Sequence, residues 1–202
     1  MSELVMRARE GQTALFGYGS LCSISSLERT LGRRYEGPFL NCQVEGWRRG
    51  WDISMPNRAY FFDSPAGRVY PDNILYLNVR PHAVSLLNGT LFLVDNDELE
   101  RFDGREWIYS RHRINDQLRG VRLEKGDAYL YVARPEYVME QVESPHQAAI
   151  RGSYLRILEE AFRDLGEEFR DAYQRSTDTA PPQLIIEDQR EPESNPALSG
   201  HP

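Results

Sequence analysis

Apolar and polar positions alternate, in short runs, through most of the first two-thirds of the chain, and only a few stretches show helical spacing. Ala14 to Gly17 reads as a strand that runs directly into the glycine-interrupted segment Phe16-Gly-Tyr-Gly-Ser-Leu21. Ser25 or Ser26 then caps a short helix through Leu27 and Leu31, closed by Gly32. Phe39 to Ile53 alternates again, with Gly46 and Gly50 as bulge positions, and Pro56 to Pro71 reads as a loop holding a short strand. Ile74 to Val79 and Thr90 to Val94 are two further strands, the second preceded by the turn signal Asn88-Gly89.

Asp95 and Glu98 have capping-box spacing, so a helix is expected from there to about Gly104. Strand character returns over 107–114 and 127–133. Ser144-Pro145-His146-Gln147 reads as a helix start, after which Ile150, Tyr154, Ile157, Leu158, Ala161, Phe162 and Leu165 form one apolar stripe. Gly166 interrupts that helix before a shorter amphipathic piece through Phe169 and Tyr173. Strands first, one interposed helix and a long C-terminal helix imply the α+β class, with a strongly bent or closed sheet. The expected organisation is a leader over 1–13, one domain over 14–175, and an acidic, Pro-rich tail over 176–202. In that tail Leu184-Ile185-Ile186 is the only apolar anchor, and about the last dozen residues have a disordered composition.

Composition narrows the chemistry. With 40% hydrophobic and 11% aromatic residues the 202-residue chain can build a core, and a net charge of −7 argues against nucleic-acid and anionic-membrane partners. No stretch approaches the roughly 18 apolar residues of a membrane span, and Met1 to Thr13 lacks the apolar run of a secretory signal. Cys22 and Cys42 form no C-x-x-C pair and the four histidines share no ligand spacing, so the expectation is a cytoplasmic protein without metal or cofactor.

Three segments carry candidate chemistry. The Gly17-Tyr18-Gly19-Ser20-Leu21 turn can direct backbone N–H groups outward to meet an anion or a developing oxyanion. It lacks the third glycine of a dinucleotide fingerprint, and Cys22 stands where a serine-hydrolase elbow needs glycine. Cys22 itself reads either as a nucleophile or as a small buried thiol. Glu106 lies at a helix–strand boundary beside Trp107, where an apolar pocket would raise its pKa toward one useful for proton transfer; it can equally be a surface partner of Arg105 or Arg111. Gly46-Trp47-Arg48-Arg49-Gly50-Trp51 reads as packed tryptophans with solvated arginines, of which Arg48 or Arg49 can receive a substrate carboxylate.

Taken together, Phe16-Gly-Tyr-Gly-Ser-Leu21, Gly46-Trp-Arg-Arg49, Asp103-x-x-Glu106-x-x-Tyr109-x-Arg111 and Pro135-x-Tyr137 resemble the γ-glutamylcyclotransferase-like superfamily over roughly residues 14–165. The resemblance implies a small mixed β-barrel flanked by helices. It also implies an enzyme that releases 5-oxoproline and a free amine from a small-molecule γ-glutamyl amide, without a cofactor. Carried onto this chain, Tyr18, Gly19, Ser20 and Leu21 would hold the substrate with Tyr109, and Glu106 would be the acid/base. Two rival readings use the same scaffold: a non-catalytic ligand- or partner-binding module, and a γ-glutamyl acyltransferase.

Overall fold

The computed structural model describes residues 4–192. In chain order the elements are β1 (Leu4–Arg7), β2 (Gln12–Gly17), α1 (Ile24–Leu31), β3 (Phe39–Pro56), β4 (Tyr60–Ser64), β5 (Gly67–Val69), β6 (Asn73–Asp95) and α2 (Asn96–Arg105). There follow β7 (Tyr109–Arg113), β8 (Leu118–Arg119), β9 (Val121–Glu124), β10 (Ala128–Ala133), β11 (Ala148–Arg151), α3 (Gly152–Leu165), α4 (Glu167–Arg175), β12 (Ile185–Ile186) and β13 (Gln189–Arg190). This is the α+β arrangement expected: a mixed sheet curled as a half-barrel, with four helices packed on it.

The spine is β6, whose 23 residues run as one strand. Along one side it pairs antiparallel with β3 from Phe92 opposite Phe39 to Asn73 opposite Pro56. Along the other it pairs antiparallel with β2 at one end and parallel with β11 at the other. The sheet continues from β2 through β10 to β7. Register shifts fall between Glu45 and Trp47 and between Gly50 and Ile53, close to the two bulges the glycines imply. One core layer joins the sheet to α3 and α4 through Leu77, Leu91, Leu158, Phe162 and Phe169; a second buries Leu27, Leu31 and Phe102 of α1 and α2 against Leu15 and Phe92.

Several expectations need correction. Asn88-Gly89 is not a turn, because both residues serve β6 as strand positions. A Cβ on Gly89 would lie 2.4 Å from the Gly17 carbonyl oxygen and 2.5 Å from Phe16 Cζ, so glycine is needed for close packing of β2. Asn88 donates from Nδ2 to the Phe169 carbonyl at 2.9 Å and accepts from Arg49 and Ser176, which makes it part of a buried polar network. Ser144 to Gln147 makes one turn and no helix. The Gln147 carbonyl accepts from the Asn73 amide at 3.2 Å, drawing the chain onto β6, so Ile150 is a strand residue and α3 begins only at Gly152. Pro56 to Pro71 is more regular than expected and holds the hairpin β4–β5.

The ends of the chain also depart from the leader–domain–tail division. β1 pairs parallel with β9, and Met6 and Ala8 are buried. Beyond Ser176, Leu184 is buried, β12 pairs with β11 and β13 with β4. Asp188 accepts from the Ser153 amide at 2.8 Å and from its hydroxyl at 2.6 Å, so a tail residue satisfies the first turn of α3. The disorder expected for the final stretch falls mainly on residues outside those described.

Candidate active site

β2 ends at Gly17, the chain turns through Tyr18 and Gly19, makes a short 3-10 turn over Ser20–Cys22, and enters α1 at its cap Ser23. Two glycines are required here by space. A Cβ on Gly17 would lie 2.7 Å from the Leu21 carbonyl oxygen, and one on Gly19 would lie 2.7 Å from the Tyr154 hydroxyl. The turn is pinned from several directions. The Tyr18 hydroxyl donates to the Tyr131 carbonyl at 2.7 Å, and Thr90 Oγ1 donates to the Leu21 carbonyl at 3.1 Å. The Tyr18 carbonyl accepts from Arg49 Nε at 2.7 Å and from the Tyr173 hydroxyl at 2.8 Å.

Across from the turn, the capping box at Asp95 starts α2 and Glu106 closes it, with the Glu106 amide donating to the Phe102 carbonyl at 2.8 Å. The Glu106 carbonyl then accepts from Tyr109 at 2.8 Å, which sets the chain into β7. The Glu106 side chain is 17% exposed, and Oε1 lies 3.2 Å from Arg105 Nε. Burial raises its pKa above the ordinary carboxylate value, and Arg105 opposes that rise in part. Arg105 also donates to Ser20 Oγ at 2.9 Å and to Thr30 Oγ1, so one guanidinium ties the carboxylate to the glycine turn and to α1.

The six residues that the resemblance assigns to the site, Tyr18, Gly19, Ser20, Leu21, Glu106 and Tyr109, all line one cavity of about 890 Å³. Glu106 is the single carboxylate among its lining residues, facing a wall of tyrosines. Tyr18, Tyr109, Tyr131 and Tyr154 all have raised pKa values, in each case chiefly through burial and also through the negative charge of Glu106, so they stay protonated as donors. Their hydroxyls are spoken for in the resting chain: Tyr109 donates to the Leu77 carbonyl at 3.0 Å and Tyr131 to Asp103 at 2.9 Å. The Tyr154 hydroxyl stands against the turn at Gly19.

Sequence reasoning missed Tyr154, Tyr131, Tyr76 and Arg151, all of which line the cavity, and treated Arg105 only as a rival partner for Glu106. Tyr154 stood in the apolar stripe of α3 with nothing to separate it from the core residues around it. The tryptophan–arginine segment serves differently from expectation. Arg48 pairs with Asp178 at 2.6 Å, while Arg49 is wholly buried behind the turn; neither lines the cavity. Cys22 is buried as well, its thiol directed at the Gly17 carbonyl 3.2 Å away and pushed up to about 11 by burial. Among the described residues no group of three or more His, Cys, Asp or Glu side chains can hold a metal ion, and no helix is long and apolar enough to cross a membrane.

Neither a family model nor a curated protein sequence matches the chain. Solved structures do. A structure described as a gamma-glutamyl cyclotransferase aligns over 87% of this chain and 94% of its own, at TM-score 0.50 and 10% identity. The fold is γ-glutamyl cyclotransferase-like. YkqA from Bacillus subtilis aligns at TM-score 0.57 and 13% identity over 82% of this chain, which spans about half (54%) of YkqA. An uncharacterized protein from Homo sapiens aligns at TM-score 0.52 and 11% identity over 88% of this chain and 95% of its own. At these identities the cyclotransferase-like fold is shared; the chemistry must be argued from the cavity.

Proposed function

We propose that the cavity is the active site of a γ-glutamyl cyclotransferase acting on a small γ-glutamyl amide, with Glu106 as acid/base. One observation carries this reading: the single carboxylate lining the cavity is buried with a raised pKa and is joined through Arg105 to a glycine turn that can serve an oxyanion. A γ-glutamyl group contains its own nucleophile. Holding it folded brings the α-amine to the γ-carbonyl carbon at an effective concentration far above that of any separate amine.

In the proposed sequence Glu106 accepts a proton from the α-amine as its nitrogen bonds to the γ-carbon. The carbonyl π electrons move to oxygen, and the negative charge is met by backbone N–H groups of Tyr18 to Leu21. As the oxyanion collapses, the bond from the γ-carbon to the leaving nitrogen breaks, and Glu106 returns its proton to that nitrogen. The products are 5-oxoproline and the free amine. A raised pKa suits a group that must take a proton and then give it up near neutral pH. Tyr109 and Tyr18 then shape the pocket wall against which the glutamyl portion lies.

The reading is tested by mass spectrometry on glutathione, γ-glutamyl-alanine, γ-glutamyl-ε-lysine and a γ-glutamyl alkylamine, each with the wild-type protein and Glu106→Gln. The expected result is 5-oxoproline from the wild type, and at least a hundredfold less from the variant. A new amide in the presence of an added amine would favour acyl transfer. No product from any member, with ligand binding retained, would leave the binding-module reading in its place.

A further inference from the structure

Arg49 is 0% exposed, and among the described residues no carboxylate pairs with it. A buried cation without an anion is costly, so its surroundings must answer it with dipoles. They do. Nε donates to the Tyr18 carbonyl at 2.7 Å, Nη1 to Ser176 Oγ at 2.7 Å and to Asn88 Oδ1 at 3.3 Å, and Nη2 to the Asn88 carbonyl. The guanidinium carbon lies 3.6 Å from the centre of the Tyr173 ring, over its electron-rich face. Ser176 is also the C-terminal cap of α4, so the negative end of that helix faces the cation.

The consequence lies on the other side of one peptide group. Among the described residues no peptide bond is cis, so the Tyr18 carbonyl and the Gly19 N–H point in opposite directions. The carbonyl is drawn into the core by Arg49 and Tyr173, while Gly19 lines the cavity. The Gly19 N–H is therefore directed away from Arg49 and Tyr173, in a residue that lines the cavity. A cation bound to the carbonyl oxygen also withdraws electron density from the amide and strengthens it as a donor.

We propose that Arg49 is a positioning residue that, through the Tyr18–Gly19 peptide group, aims and polarises the Gly19 N–H as the donor to the oxyanion formed on the γ-carbonyl oxygen. The proposal rests on the cyclotransferase reading of the cavity. It also gives the C-terminal segment a part in the site, because Tyr173 and Ser176 complete the dipole cage around the arginine.

The test compares wild type with Arg49→Lys, Tyr173→Phe and, as a control on the same strand, Glu45→Gln, an exposed residue paired with Arg119. Tyr173→Phe removes one hydroxyl from the Tyr18 carbonyl and keeps the ring under the guanidinium, so it remains informative if Arg49→Lys does not fold. Two quantities are read: kcat and KM on the substrate the panel identifies, and the Gly19 amide proton resonance in a nitrogen-15-labelled sample. The expected result is kcat lower by about 3- to 10-fold in Tyr173→Phe and about 10- to 100-fold in Arg49→Lys, with KM within about twofold. The Gly19 resonance should move upfield in both, and Glu45→Gln should match wild type. Simple destabilisation would reduce the folded fraction and leave the resonance of folded molecules where it was. An unchanged kcat, a loss confined to KM, or an unmoved Gly19 resonance overturns the proposal. If the wild type turns over no γ-glutamyl compound, the catalytic role falls with the parent reading, and the resonance still decides whether Arg49 orients this peptide.

Discussion

The contact between Gly19 and the Tyr154 hydroxyl can be read out as a coupling energy. A Cβ at position 19 would lie 2.7 Å from that oxygen, about 0.7 Å short of ordinary contact, and its next neighbour, Leu77 Cδ1, is at 3.9 Å. Essentially the whole steric conflict of Gly19→Ala is thus with one atom. Tyr154 cannot swing aside cheaply, since its ring packs edge-on against Tyr76 at 5.4 Å and Trp51 at 6.1 Å and is 7% exposed. Overpacking of this kind costs about 1–3 kcal/mol. Tyr154→Phe alone removes that hydroxyl and leaves the ring packing in place. In the Tyr154→Phe background the offending oxygen is gone. The double variant should then be more stable than the sum of the singles implies, by about 1–2 kcal/mol. Any backbone cost of a Cβ at position 19 is common to both backgrounds and cancels. Urea denaturation, compared at constant m, measures all four corners of the cycle. Additivity to within about 0.5 kcal/mol would show that the Tyr154 hydroxyl does not rest on the turn, and would remove the spatial reason for glycine at this position.

Three other outcomes follow from the same geometry. Burial raises the Glu106 pKa in the folded chain, so the stability linked to its proton is full below the unfolded carboxylate pKa of about 4.3 and is lost as pH rises through the folded value. Glu106→Gln should therefore be more stable than wild type at pH 8 by urea denaturation, with the difference shrinking toward pH 4; a difference that grows on acidification would contradict the assignment. Gly89→Ala brings a Cβ to 2.4 Å from a backbone oxygen and should cost about 2–3 kcal/mol, lowering Tm by several degrees, whereas an exposed hairpin tip would tolerate it. Cys22 and Cys42 are buried with thiols pushed up to about 11 and about 12, so a chromogenic disulfide reagent at pH 8 should titrate neither until urea unfolds the chain. A thiol that reacts in the native protein would refute their burial.

The sequence was most legible where a local rule and the tertiary structure agree. Asp95 and Glu98 cap α2 as their spacing requires, and Gly32 ends α1 in the left-handed conformation its position suggests. The glycine turn and Glu106, nearly ninety residues apart, were brought together by resemblance, and their place on one cavity is a property of the fold. It failed where a distant partner overrides a local signal. Asn88-Gly89 has turn chemistry, but the glycine is demanded by β2 and the asparagine by Arg49. Ser144-Pro145 has the grammar of a helix start, but the chain is captured by pairing to β6 before a second turn can form. Arg49 illustrates the same limit: beside a tryptophan and another arginine it looks like a surface cation, and its burial depends on distant partners, Tyr18, Asn88, Tyr173 and Ser176.

The partners of Arg49 bear on where the functional unit ends. A boundary at residue 175 separates Arg49 from Ser176, which supplies its 2.7 Å hydroxyl partner, and α3 from Asp188, which satisfies its first turn. Both contacts act on groups that support the cavity wall from behind. Arg49 holds the Tyr18 carbonyl, and α3 carries Tyr154 to the back of Gly19. A segment that is polar in composition need not lie outside the fold when its polar groups answer charges and helix ends that the apolar core cannot. The same acidic and hydroxyl residues that make 176–188 resemble a solvated tail are those that a buried arginine and an uncapped helix need. The stretch is best understood as the underside of the site.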